Sequence, residues 1–219
     1  MQPTFFPWIG YFKLIEKCDV FVFLDDVQFD KRSWQQRNKL NFNSEAKLFT
    51  VPVLSKQKFN QLIINTEIDN NQNWKQKHLN GIKQNYKKTL FYNKYIGIVE
   101  SIYAEEFVNI SDLNIYIIKK ISEILNLNTS FVLSSSLKYK DHKTEKLIKI
   151  INKMNCKTYI SPMGSKDYID EERFIKNKID LQYFGYQPIP YKQLNSNSFI
   201  PFLSVLDFLF NCDNKFDLV

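Results

Sequence analysis

Ile9 to Lys17 reads IGYFKLIEK, with apolar side chains at helical spacing, and Cys18 to Leu24 reads CDVFVFL, a continuous apolar run of strand-forming residues. Together with the QPTFFPW segment before them, they predict a turn, a helix and then a buried strand. Asp25 and Asp26 end that strand. VQF follows, and then KRSWQQRNK (31–39), which has no apolar face and reads as an exposed loop or short helix. Lys47 to Val53 (KLFTVPV) and Leu62 to Ile68 (LIINTEI) are predicted strands, with Pro52 placing the first at an edge or an end.

The middle of the chain is helical by pattern: Asn73 to Lys87, Tyr92 to Tyr103, and Ser111 to Leu125, where Ser111 and Asp112 offer capping oxygens. The last third alternates again, with strands Phe131–Ser134, Thr158–Ser161 and Leu181–Phe184, a helix over Thr144–Met154 and a closing amphipathic helix in SVLDFLF. Strand and helix alternating at both ends argue for an α/β fold, a mostly parallel sheet covered by helices, with a helical middle segment. Nothing in the 219 residues reads as a linker, so the expectation is one domain over residues 1–219.

Hydrophobic residues make up 44% of the chain and aromatics 16%, ample apolar surface to order a globule. The formal net charge of +7 suits a polyanionic partner, but the lysines are scattered along the chain, which argues against nucleic acid. Cys18, Cys156 and Cys212 are odd in number and lack zinc-ligand spacing, so neither a disulfide nor a zinc site is expected. No apolar run approaches the roughly 20 residues of a spanning helix and no signal-peptide pattern opens the chain, so a cytoplasmic location is expected.

Four constellations could carry chemistry. In the first, Gln2, Pro7, Trp8, Gly10 and Tyr11 form a stiff loop at a helix start, with two prolines fixing φ and Gly10 permitting close approach. The second is the densest polar cluster: Asp25 and Asp26 at a strand's carboxyl end, then Gln28, Lys31, Arg32, Trp34, Arg37 and Asn38. Its basic residues suit phosphate or carboxylate, unless its opposite charges simply pair with one another. The third is the strand-to-loop YISPMGSKDY with Ser161 and Gly164. The fourth joins Tyr191 and Gln193 to the closing helix, on which Asp207 is the one acid and reads as a satisfied structural residue. His78 and His142 are the only imidazoles, in lysine-rich surroundings that predict surface positions; His78 is kept as a candidate general base. Walker, GxGxxG and GxSxG signatures are absent.

QPTFFPWIGYFKLIEKCDVFVFLDDVQFDKRSWQQRN, FTVPV, YISPMGSKDYID and SVLDFLFN, in this order across nearly the whole chain, resemble the WbqC-like protein family. Members of that family are encoded among genes for bacterial O-antigen and related surface polysaccharides. Relatives show a short apolar strand ahead of the QP pair, whereas here Met1 directly precedes Gln2.

The resemblance implies a place in surface-polysaccharide assembly, and the leading expectation there is a transferase that forms an amide by attaching an acyl or aminoacyl group to an amino group of a nucleotide-linked sugar. In that reading Lys31, Arg32 and Arg37 bind phosphate, Trp8 and Trp34 stack on a sugar or base, and Asp25 or Asp26 takes a proton from the attacking amine. The sequence names no cofactor; the two acids could hold a magnesium ion or serve without one. Two other readings stay open. One is an ATP-dependent enzyme like the nucleotidyltransferases, whose paired histidines are missing here. The other is a non-catalytic scaffold, which would present a large exposed apolar patch.

Overall fold

The computed structural model describes residues 1–141, 143–194 and 196–215, so His142 lies outside the described residues. The protein has an α/β fold whose chain divides into two units, one of Met1, Gly10–Leu24 and Asn128–Gln187, the other of Gln2–Ile9, Asp25–Leu127 and Pro188–Val219.

The first unit is built on parallel strand pairs. Helix α1 (Ile9–Glu16) leads into β1 (Val20–Phe23), which pairs in parallel with β4 (Ser130–Leu133) in the register Val20↔Ser130 to Phe23↔Leu133. Phe21 and Phe23 alternate inward from β1, and Phe131 of β4 stacks on Phe23 with ring centres 5.4 Å apart. Beside β1, the Met1 backbone bonds to Val22 and Leu24. The second pair, β5 (Thr158–Pro162) and β6 (Asp180–Phe184), is also parallel, in the register Thr158↔Asp180 to Pro162↔Phe184.

Helix α5 (Lys143–Lys153) carries Ile148 and Ile151 into a core with Ile169, Phe174 and Ile179. Its Glu145 in the first turn and Lys153 in the last complement the helix dipole. The short α6 (Glu171–Lys176) is capped by Asp170, whose carboxylate accepts from the Arg173 N–H at 3.3 Å. Burial pushes the Cys18 thiol up to about 11, with the N-terminal ammonium, Asp19 and Cys156 as smaller influences.

The second unit contains the antiparallel hairpin β2 (Arg37–Phe42) and β3 (Glu45–Thr50), paired from Arg37↔Thr50 to Phe42↔Glu45. Asn43 and Ser44 make its turn with φ of 49° and 70°, the double left-handed conformation that suits right-twisted strands. The last three residues of KRSWQQRNK therefore enter a strand instead of an exposed loop or helix, because this turn folds β3 back onto them. Leu62 to Ile68 is not the strand expected. Ile63–Asn65 form a 3₁₀ turn whose amides bond outside any ladder, Ile63 N–H to the Val27 carbonyl and Ile64 N–H to that of Asp25, both at 2.9 Å. The Thr66 hydroxyl closes the turn onto the Leu62 carbonyl at 2.8 Å.

Three helices follow: α2 (Trp74–Tyr86), α3 (Tyr92–Ala104) and α4 (Ile110–Ile124). Leu113, Ile117, Ile118 and Ile121 form the buried stripe of α4. Its cap position is Asn109, not Ser111 or Asp112, and no side chain caps it. Helix α7 (Val205–Cys212) is capped by Ser204, whose Oγ accepts from the Leu206 N–H.

Candidate functional site

In the second unit, the opening segment is held by buried amide side chains. Phe6 has φ 39° directly ahead of Pro7, a left-handed conformation that costs a bulky residue about 1–2 kcal/mol. Asn38 Nδ2 clamps it by donating to the carbonyls of Phe5 (3.1 Å) and Phe6 (2.6 Å). Asn114 of α4 donates to the carbonyls of Pro3 (3.2 Å) and Gln35 (2.7 Å), tying the opening to the 30–38 loop. The Phe5 N–H donates to the Trp34 carbonyl at 2.9 Å. Gln35 accepts from the Asp30 N–H and donates to Gln2 Oε1, both at 2.9 Å. Gln36 Oε1 accepts at 3.0 Å from the N–H of Arg32, which sits at φ 60°. A buried amide left unbonded is destabilising, so these pairings leave the loop little freedom.

The fixed loop displays Lys31, Arg32 and Trp34 at the surface, Trp34 being 49% exposed. Lys39 Nζ lies 5.6 Å from the centre of the Trp34 ring, a cation–π distance. Lys31 Nζ donates to the Ser55 carbonyl at 2.7 Å. Trp8 bridges to Ser204 and meets Phe202 edge-on, with ring centres 5.1 Å apart. Pro7 is buried and its carbonyl accepts from the Val205 N–H. Gln28 bridges to Leu62 across the surface. Arg37 is half-buried and its Nε has no hydrogen-bond partner among the described residues. Asp25 is only 1% exposed, whereas Asp26 is half-buried.

His78 is buried, contrary to the surface position that its lysine neighbours suggested. Phe5, Phe49, Trp74 and Tyr103 surround its ring, and Nδ1 lies 3.1 Å from the Tyr103 hydroxyl. Burial lowers its pKa to about 4, against a hydrogen bond with the Thr50 backbone that works the other way. The imidazole is therefore neutral at pH 7. The spacing of Trp74, His78, Ile82 and Tyr86, four residues apart along α2, marks the buried face and was readable in the sequence.

Tyr191 and Gln193 converge on Asp207, which is 0% exposed. Asp207 Oδ1 accepts from Tyr86 Oη at 2.8 Å, and Oδ2 from Tyr191 Oη at 2.8 Å and Gln193 Nε2 at 2.9 Å. Burial raises its pKa even against these three donors. This acid is satisfied, as its place on an apolar helix implied. Tyr191 also lines an open cleft of about 310 Å³ with Leu90, Phe91, Pro190, Phe208 and Cys212. The partners of Tyr86 and Asn114 had no local signal, since they lie far along the chain.

Gly10, Tyr11, Ser161 and Gly164 belong to the first unit. Gly10 lies inside α1 and no glycine has a positive φ, so its left-handed freedom is unused. Tyr11 is buried against Phe12 and Phe21. Ser161 Oγ bonds Ser165 Oγ at 2.5 Å, and Gly164 is exposed with open space where a β-carbon would stand. Among the described residues, no group of three or more His, Cys, Asp or Glu is placed to hold a metal ion.

Fold and site define an α/β protein with parallel strand pairs and an opening segment locked by buried amides onto a basic, tryptophan-bearing loop. The chain belongs to the WbqC-like protein family, whose model matches residues 2–216. It is 33% identical over 213 residues to a Mycobacterium tuberculosis (strain ATCC 25618 / H37Rv) protein named "Uncharacterized protein Rv1507c", covering 96% of this chain and 91% of that one. No solved structure matches. Among the described residues, no helix is long and apolar enough to cross a membrane.

Proposed function

We propose that the protein is a cytoplasmic transferase of bacterial surface-polysaccharide (O-antigen) assembly, acting as one domain to form an amide on a nucleotide-linked amino sugar. The observation that carries this reading is the amide-clamped 30–38 loop. Buried Gln35, Gln36 and Asn38 hold a surface loop in one shape, strained residues included, and that loop presents Lys31, Arg32 and Trp34 outward. Preorganisation of this kind lowers the entropy lost on binding a ligand.

In this reading Lys31, Arg32 and Arg37 hold the pyrophosphate, and Trp8 and Trp34 stack on the sugar or base. Gln2, Gln28 and Asn38 shape the floor, and Tyr191 and Gln193 contribute further polar contacts. The sugar's amino nitrogen attacks the acyl carbonyl carbon, forming the C–N bond as the bond to the donor's leaving group breaks. Asp26 takes the proton that the nitrogen loses. Asp25 is too enclosed to reach substrate and would support its neighbour, while the neutral His78 is enclosed by aromatic rings.

Thermal-shift measurements against UDP- and dTDP-amino sugars, ATP, coenzyme A and acyl-coenzyme A test the proposal. A nucleotide-sugar is expected to raise Tm, with the rise lost in Arg32→Ala. Asp26→Asn is expected to keep the rise and abolish amide formation. A rise with ATP alone would favour the nucleotidyltransferase-like reading. No rise with any ligand would leave the scaffold, for which the exposed Leu54, Phe59 and Leu62 offer an apolar surface.

A further inference from the structure

The cleft beside Tyr191 lies wholly within the second unit and is lined from three separate stretches of chain, at 90–91, 190–191 and 208–215. Its walls are apolar: Leu90, Phe91, Pro190 and Phe208, with the ring of Tyr191. They are also held in place. Thr89 closes the end of α2, its N–H and hydroxyl donating to the Tyr86 carbonyl at 2.8 and 2.7 Å, and the Phe91 N–H donates to the Phe210 carbonyl at 3.1 Å. Leu90 stands between these two anchors and is 82% exposed, so a pinned backbone displays it at the rim. Tyr191 packs edge-on against Phe199 and Phe208, with ring centres 5.1 and 5.6 Å apart. Covering such a rim with an apolar ligand is favourable, and fixed walls lower the entropy lost on binding.

The polar groups of the cleft narrow the ligand's chemistry. Tyr191 Oη already donates to Asp207. Asn211 spends both ends of its amide inside the fold, Oδ1 accepting from the Leu194 N–H at 2.9 Å and Nδ2 donating to the Asp207 carbonyl at 2.8 Å. Burial pushes the Cys212 thiol up to about 11, so it stays uncharged at pH 7. Lys215 supplies a positive charge from an exposed position in the lining. Asp213, two residues before it, is engaged by Lys94 Nζ at 2.5 Å and by the Tyr95 hydroxyl. A ligand in the cleft therefore meets apolar walls and a cation. At about 310 Å³ the space is near the lower end of the roughly 300–1,000 Å³ of small-molecule sites.

We propose that this cleft binds a small carboxylic acid with an apolar tail, the tail lying between Leu90, Phe91, Pro190 and Phe208 and the carboxylate pairing with Lys215. The site stands on the cleft's own geometry and does not depend on the role given to the 30–38 loop.

Titration of the full chain with hexanoate at physiological salt tests it, followed by Tm and by the rate at which a disulfide reagent modifies each cysteine, mapped by peptide mass. Hexanoate is expected to raise Tm and to slow modification of Cys212, which lines the cleft, while Cys18 and Cys156 react as before. Affinity should rise about fourfold for each methylene added from butyrate to hexanoate, as burial of the tail requires. Lys215→Ala should weaken hexanoate about threefold, and hexanamide should bind wild type about as weakly. Leu90→Asp, at an exposed position, should keep the unliganded Tm and lose the protection of Cys212. Unchanged modification of Cys212 at saturating hexanoate would overturn the site, as would a flat affinity from butyrate to hexanoate. Equal affinity for hexanoate and hexanamide would remove the carboxylate and sink the proposal too. A dimer that Leu90→Asp breaks, with no protection of Cys212 by hexanoate, would give the cleft to a second copy of the chain and refute it as well.

Discussion

At the scale of single residues, Phe6 before Pro7 in the left-handed region is a conformation that the chain adopts only under constraint. Asn38 provides that constraint, with Nδ2 on two carbonyls and Oδ1 accepting from the Lys39 N–H at 2.7 Å. Asn38→Ala should lower stability by about 2–3 kcal/mol, read as a lower urea midpoint at constant slope. Asn38→Asp should be worse, since a carboxylate would face the same two carbonyls. An unchanged midpoint for Asn38→Ala would show that the opening segment keeps its shape without the clamp. The same residue was a candidate ligand contact in the sequence. Its role as a clamp depends on Phe5 and Phe6 lying over thirty positions away, which no local pattern encodes.

At the scale of the element, the helices follow their patterns closely, and two glycines test what sets their stability. Gly97 lies on an exposed face of α3, where an added β-carbon would meet nothing within 4 Å. Gly97→Ala should therefore stabilise the protein by about 0.5–1 kcal/mol through helix propensity and a less flexible unfolded chain. Gly81 in α2 differs: its added β-carbon would come within 3.1 Å of Phe49 Cζ and 3.2 Å of Phe42 Cζ. Those rings pack on each other in the β2–β3 hairpin, so Gly81→Ala should stabilise less than Gly97→Ala, or destabilise. Equal Tm gains in both variants would mean that the rings yield without resistance.

At the scale of the whole molecule, the buried imidazole makes stability depend on pH. His78 takes up its proton near 6.5 in the unfolded chain and near 4 in the folded one. Between those values the unfolded state binds more protons, so the His78 contribution is full above about pH 6.5 and is lost as pH falls toward 4. Its size is on the order of 3 kcal/mol. Asp207 works in the opposite sense: its raised pKa means that ionisation above the ordinary carboxylate range weakens the fold. Comparison of wild type with His78→Gln in urea titrations at pH 7 and pH 5 isolates the imidazole, and the variant should lose less stability over that range. Equal losses would mean that His78 accepts its proton without leaving its aromatic cage.

The sequence by itself determined the α/β class, the helices α2 to α5 and α7, and the parallel character of both strand pairs in the first unit. Those features follow from the period of apolar residues, which is a local property. The motif order also pointed to the WbqC-like family that the family model matches. Only the tertiary structure decided the conformation of Leu62–Ile68, the burial of His78 and the pairing of Asp207 with Tyr86. Each depends on whether a polar group finds its hydrogen-bond partner in a distant segment, and the free energy of that choice is not carried by any short window of sequence.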